Sequence, residues 1–277
     1  MNVGPVSVRR QYIDGRFGQM HVRIAEPDTP TALPLMCFHL SPFSGQMYET
    51  WLGEIGRDRL AVAVDTPGYG YSDSPSAPPP MEEYAGAMAD VADALDITDF
   101  DLMGFHTGGR IAVQLALLRP DAIKHIVLVG VGMYSREEQT KHYASMDTSE
   151  ALQEDGSHLL ATWQNSVRWR GPHRNNDELM KSFIDIIRNH DKNHWAYKAN
   201  KEFSYVENLP QVTQPILALN PRDDLYPYTP RAAPYLNGGQ LIDMPDWGLG
   251  FLDYHSQETA KMVRTFLDGE WGVPRKI

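Results

Sequence analysis

The sequence predicts an α/β protein, a mostly parallel eight-stranded sheet covered by helices on both faces, with a helical excursion set into it. Three observations carry that expectation. Short apolar runs rich in β-branched residues alternate with amphipathic stretches along most of the chain, the pattern of repeated strand and helix units. One segment, DLMGFHTGGRIAVQLALLRP (101–120), passes directly from apolar strand into helix through a turn flanked by glycines. From 134 to 210 there is no convincing strand, only helix-period segments punctuated by Asp147-Thr148 and Gly171-Pro172.

Composition fits a folded domain with a sizeable core. Of 277 residues, 42% are hydrophobic and 22% charged, close to globular averages and unlike disordered, collagen-like or coiled-coil chains. With 36 acidic against 25 basic residues the formal charge is −11, a field that repels phosphate backbones and anionic lipid and so argues against nucleic-acid and membrane partners. Cys37 is the single cysteine, so a disulfide framework or thiolate metal cluster within one chain is excluded. No apolar run approaches the ~18 residues of a membrane span, and the polar start has no signal-peptide apolar region. A cytoplasmic location is expected. Oligomeric state is open, a homodimer included.

Taken in order, 8–25 reads as two polar-alternating strands hinged at Asp14-Gly15, an antiparallel hairpin at a sheet edge. Six buried strands should follow, at 33–40, 60–67, 100–106, 123–131, 215–221 and 238–245, with helices over 46–57, 81–95, 107–118, 230–236 and 256–267. The interval 134–210 holds Trp163, Trp169 and Trp195 with several tyrosines and histidines, dense enough to line a pocket or to glue a small helical lid to the sheet.

The turn Gly104-Phe105-His106-Thr107-Gly108 is the sharpest local signal. Its apex residue must adopt a strained conformation while the next helix packs closely on the strand, which requires residues without bulk on either side. Here the chain resembles the α/β-hydrolase family, over nearly its whole length. HLSPFSG (39–45), VDTPGYGYSDSP (64–75), the turn itself, the helical insertion and NPRDDLYP (220–227) carry the resemblance. It implies a core domain of 1–133 and 211–277 and a lid of 134–210. The family places Ser, Asp or Cys at the apex, where this chain has His106. It also places Gly-His well before a closing Phe-Leu helix, where this chain has Gly248-Leu249 ahead of Phe266-Leu267. Asp223 falls at the family's acid position.

One rearrangement accounts for both departures: an imidazole raised on the turn reaches into the space of the absent histidine, Leu249 leaves room for it, and Asp223 accepts its N–H. The expectation is a His106/Asp223 general-base dyad. The resemblance further implies an oxyanion hole from the backbone N–H groups of Thr107 and Ser41. The Ser41 hydroxyl is either a displaced nucleophile or a substrate or loop contact. His39, Leu40, Phe105, Trp163, Trp169 and Leu249 are the expected pocket residues, His39 alternatively serving the backbone. Arg168 and Arg170 either clamp a substrate carboxylate or stack on tryptophan. His190 and His194 have the spacing of half a metal site without a third ligand, and neither GxGxxG nor GxxxxGK[ST] occurs, so no metal and no cofactor is expected. His255 reads as a local capping or solvent-contact residue, with a catalytic role the lesser alternative. The expected activity is hydrolysis of a small ester, a lactone or a C–C bond next to a carbonyl. A lyase or isomerase working by proton abstraction, and a receptor that kept the pocket without the chemistry, are the alternatives.

Overall fold

A computed structural model describes residues 4–144, 146, 151–169 and 173–269 of the chain. The segment pairs Asp147-Thr148 and Gly171-Pro172, and Arg170, lie outside the described residues. The strands are β1 (Val8–Gly15), β2 (Gly18–Ala25), β3 (Leu35–Phe38), β4 (Ala61–Val64), β5 (Phe100–Phe105), β6 (Ile123–Val129), β7 (Ile216–Pro221) and β8 (Leu241–Met244). They form one sheet in the order β1-β2-β4-β3-β5-β6-β7-β8. β1 and β2 pair antiparallel, as do β2 and β4, and every other pairing is parallel.

The hairpin lies at the expected edge, but its turn is Arg16-Phe17 rather than Asp14-Gly15, because Gly15 pairs with Gly18 and Gly18 supplies the positive φ (105°) that closes a two-residue loop. β2 departs from strict alternation, its residues from Met20 to Ala25 all being buried. Nor are all six later strands buried: β8, at the opposite edge, has Leu241 and Ile242 half-buried and Asp243 exposed.

In the central strands successive side chains enter different cores. Met36 and Phe38 join Val62, Val64, Leu102 and Ile126 against α2 (Met81–Ala94) and α3 (Thr107–Leu118). Leu35 and Cys37 join Met103, Phe105, Val127 and Leu217 on the other face, covered by α1 (Glu49–Ile55) and a C-terminal helix, Ser256–Leu267. Burial pushes the Cys37 thiol up and keeps it protonated, so it is packing and not a nucleophile. The helix expected over 230–236 is a 3₁₀ helix, Thr229–Tyr235, because Pro230 and Pro234 lack the N–H groups an α-helix needs.

Between β6 and β7 the described residues contain helices and no strand: α4 (Arg136–Tyr143), α5 (Ser157–Trp169), α6 (Asn176–Arg188), α7 (Trp195–Glu202) and α8 (Tyr205–Asn208). Capping boxes start α4 (Ser135/Glu138) and α6 (Asn175/Glu178), each satisfying two N–H groups that the helix leaves unpaired. After β8 come α9 (Phe251–Tyr254) and α10, the Ser256–Leu267 helix. Among the described residues no helix is long and apolar enough to cross a membrane.

β5 and α3 are held together at glycines. A Cβ on Gly104 would lie 2.3 Å from the Gly108 carbonyl oxygen, and one on Gly108 would lie 2.0 Å from the Phe38 carbonyl oxygen on β3. This close approach places the strand-to-helix turn at the C-terminal edge of the sheet, beside the loops that follow β3, β6 and β7.

Candidate active site

His106 occupies the apex of the turn between β5 and α3 with φ 48° and ψ −104°, a conformation unusual for a residue with a Cβ. Such strain costs about 1–3 kcal/mol and persists only where the surroundings enforce it. Here the enforcing contacts are the His106 N–H, which donates to the Val129 carbonyl at 2.9 Å, and the glycine packing on either side. The ring does not cap α3. It turns toward the loop after β7, where Nε2 lies 2.9 Å from Asp223 Oδ2. Asp223 has a side chain with no exposed surface, and its Oδ1 accepts from the Leu225 N–H at 2.8 Å, which fixes the carboxylate.

The residue that makes space for the ring is Gly130, immediately after β6. A Cβ there would lie 2.5 Å from His106 Cδ2, 2.6 Å from Nε2 and 3.3 Å from Asp223 Oδ2, and its φ of 64° favours glycine independently. Leu249, expected to leave room for the ring, lines a small cavity of about 40 Å³ together with Leu40, Phe105 and Gly250. That cavity adjoins a cleft of about 370 Å³, the two sharing Phe43, Met47, Arg174, Ser182 and Asp253. Phe105 also touches the His106 ring, centroids 5.0 Å apart.

Burial disfavours the charged form of His106, but the charge of Asp223, its hydrogen bond and the more distant Asp224 outweigh burial and the opposing Arg110. The net effect holds the imidazole above its ordinary 6.5. The folded state gains from this pair below the unfolded histidine's pKa and loses the gain as pH rises through the raised value. His106, Asp223 and Asp224 are the one group among the described residues whose possible metal-ligating atoms lie within 4.8 Å of one another, yet the Nε2–Oδ2 hydrogen bond already engages two of these atoms with each other.

Thr107, the first residue of α3, has its N–H among those the helix leaves without an intrahelical partner. Its hydroxyl accepts from the Asn200 amide on α7 at 2.8 Å. The Ser41 carbonyl accepts from the Tyr197 hydroxyl, also on α7, at 3.0 Å. The Ser41 hydroxyl is buried beside the Tyr69 hydroxyl, and no hydrogen bond joins it to His106.

Three expected pocket residues have other contacts. His39 is fully buried: its Nε2 accepts from the Thr66 N–H at 3.0 Å, so Nδ1 carries the proton and donates to the Leu40 carbonyl at 2.8 Å. Burial lowers its pKa, and it is a neutral structural strut. Trp163 packs edge-on against Phe183, and Trp169 is 44% exposed beside Arg168. Both lie on α5, none of whose residues is buried. His190 and His194 lie in turns up to the start of α7, not on one helix face. His255 precedes α10 without a side-chain cap; it bonds Glu258 at 2.8 Å and stacks on Trp247.

Gly130 and Asn200 were not foreseen from the sequence, and Tyr197 was counted only among the aromatics of the helical insertion. For Gly130 a signal existed, a glycine directly after the buried run IVLV. Asn200 carries none.

A family model described as alpha/beta hydrolase fold matches residues 45–215. A 2-hydroxymuconate semialdehyde hydrolase of Pseudomonas sp. (strain CF600) is 33% identical over 107 residues, 37% of this chain and 38% of that protein. The chain thus spans little more than a third of that relative's length. A poly(3-hydroxyalkanoate) depolymerase of Ectopseudomonas oleovorans is 24% identical over 251 residues, 88% of this chain and 87% of that protein. Among solved structures, the enol-lactonase from Burkholderia xenovorans LB400 superposes with a TM-score of 0.77 at 18% identity, covering 93% of this chain and all of that one.

Proposed function

The chain belongs to the α/β-hydrolase fold family, and from that membership we propose that it is an enzyme hydrolysing a small ester, lactone or C–C bond next to a carbonyl, with His106 as general base in the place of the family's nucleophile. The observation that carries this reading is the 2.9 Å contact between His106 Nε2 and the buried carboxylate of Asp223. An ionised Asp223 accepts from Nε2–H, which leaves the basic lone pair on Nδ1. Nδ1 takes a proton from water as the water oxygen attacks the carbonyl carbon, and the oxyanion that forms faces the N–H groups of Thr107 and Ser41. Collapse expels the alcohol or carbon leaving group, which recovers the proton from the imidazolium. The lack of a hydrogen bond between the Ser41 hydroxyl and His106 favours water over serine as nucleophile. Helices α4 to α8 serve as the lid. The hydrolytic activities named among the relatives and structural neighbours support the same class of reaction.

The test is turnover of a panel of short esters and lactones in ¹⁸O-labelled water. Label in the acid product supports hydrolysis, whereas an isomerised or cleaved product without label replaces it by proton-transfer chemistry. Because the base acts neutral and its pKa is raised, kcat/KM should climb with pH through a midpoint above 6.5. Asp223→Asn removes the two largest of the three contributions that raise it, so the midpoint should fall, with kcat reduced by about 10²-fold or more from the loss of tautomer control. Gly130→Ala should displace the ring and lower kcat about 10²-fold, the usual result of misplacing a reacting group by an ångström, with KM and the circular-dichroism spectrum nearly unchanged.

A further inference from the structure

Arg110 lies on α3, four residues after His106, and is 1% exposed. Other buried arginines of this protein are neutralised: Arg23 meets Asp65 at 3.0 Å and Arg59 meets Asp268 at 2.8 Å. Arg110 has no ion pair or side-chain hydrogen bond among the described residues, and its Nε is buried without a partner. Its guanidinium instead lies 4.8 Å from the ring centroid of Tyr205 and 5.7 Å from that of Tyr143. The hydroxyls of Tyr205 and Tyr134 are likewise buried and unpartnered, and the Tyr134 ring is 6.4 Å from that of Tyr143. An always-charged group removed from water needs an anion, and ring faces compensate it only in part. One cation and two hydroxyl donors are therefore gathered without an acceptor, one helical turn from the proposed base.

We propose that Arg110, with the hydroxyls of Tyr134 and Tyr205, binds a carboxylate carried by the substrate. That this carboxylate is the substrate's rests on the hydrolase reading; the anion site itself does not. The planar guanidinium fork matches a carboxylate bidentately, and the tyrosines cap its remaining lone pairs. A monoanion suits the site better than phosphate, since Asp223 and Asp224 beside His106 repel a second negative charge. The Arg110 N–H donates to the His106 carbonyl at 3.3 Å and the Arg110 charge acts on the His106 ring, so the acid group lies only a few atoms from the carbonyl under attack. The substrate class is thus a short half-ester, lactone acid or keto acid. Because Arg110 is covered, the anion enters as the α4 segment carrying Tyr143 is displaced.

Calorimetric titration with propionate, its neutral amide and inorganic phosphate tests the site without needing turnover. The wild-type protein should bind propionate saturably, phosphate more weakly and the amide not at all. Arg110→Met should weaken propionate by at least tenfold. Tyr134→Phe and Tyr205→Phe, which keep the rings, should each weaken it several-fold and carry the test if Arg110→Met does not fold. On esters, the preference in kcat/KM for monomethyl over dimethyl succinate should fall by the same factor in Arg110→Met. Propionate that fails to saturate the wild type, or binds Arg110→Met and both phenylalanine variants as well as wild type, overturns the proposal. Propionate binding that survives His106→Gly while no ester is turned over by wild type upholds the anion site and overturns the hydrolase reading. Turnover of neutral esters without propionate binding does the reverse.

Discussion

Replacing His106 with glycine is expected to lower kcat/KM by about 10²–10⁴-fold, the range a positioned general base contributes. Glycine is the informative substitution because it accepts the φ of 48° without strain, so the turn and α3 should persist. It also leaves a ring-sized space over Gly130 against Asp223, whose carboxylate remains held by the Leu225 N–H. Added imidazole should enter that space and restore part of the lost activity, with a saturable concentration dependence. Wild-type turnover in the variant would remove His106 from the mechanism. A loss that imidazole cannot mend, in a protein whose near-ultraviolet circular dichroism has changed, would point to a disturbed turn instead.

The largest effect on stability is expected at Gly108. A methyl there would lie 2.0 Å from the carbonyl oxygen of Phe38 and 2.9 Å from that of His39, both backbone atoms of the central sheet region. No rotamer change relieves that contact, so α3 must separate from β3 and β5. Overpacking of this kind costs about 3 kcal/mol or more. In a chain of this size that corresponds to a fall of roughly 6–12 °C in Tm, measurable by calorimetry. Gly104→Ala should behave similarly, since its Cβ would meet the Gly108 carbonyl oxygen at 2.3 Å. A Gly108→Ala protein that melts with the wild type would show that the helix and the sheet are not in the close contact described.

Features set by local chemistry were legible in the sequence. The ranges 107–118 and 256–267 match α3 and α10 because each helix begins at a sharp change in chain direction and ends where its apolar period ends. The close packing at Gly104 and Gly108 could be read from the absence of bulk beside the apex, and Asp223 from its place after a late strand. Features set by distant contacts were not. Nothing in the residues around Leu249 or Gly130 says which of them lies under the His106 ring, because that depends on how β6 and β5 register. The density of aromatic side chains in 134–210 did not reveal that Trp163 and Trp169 sit on a helix with no buried residue, while tyrosines elsewhere in the same interval, Tyr143 and Tyr205, are buried against Arg110. The hairpin turn was misplaced by two residues because Asp-Gly is the stronger local turn signal, whereas the strand register selects Gly18 to follow the loop.

Two threads run from a single helix to the two residues proposed to supply the oxyanion donors: Asn200 to the Thr107 hydroxyl and Tyr197 to the Ser41 carbonyl. Swinging α7 outward cuts both threads at once, and letting it settle re-ties both. In the proposed mechanism, then, entry of a molecule and alignment of the donors that steady its charge are a single event. A guest too bulky for α7 to return would still enter and linger, yet it would be converted slowly. Size selection in this protein would accordingly be exercised through kcat rather than through affinity.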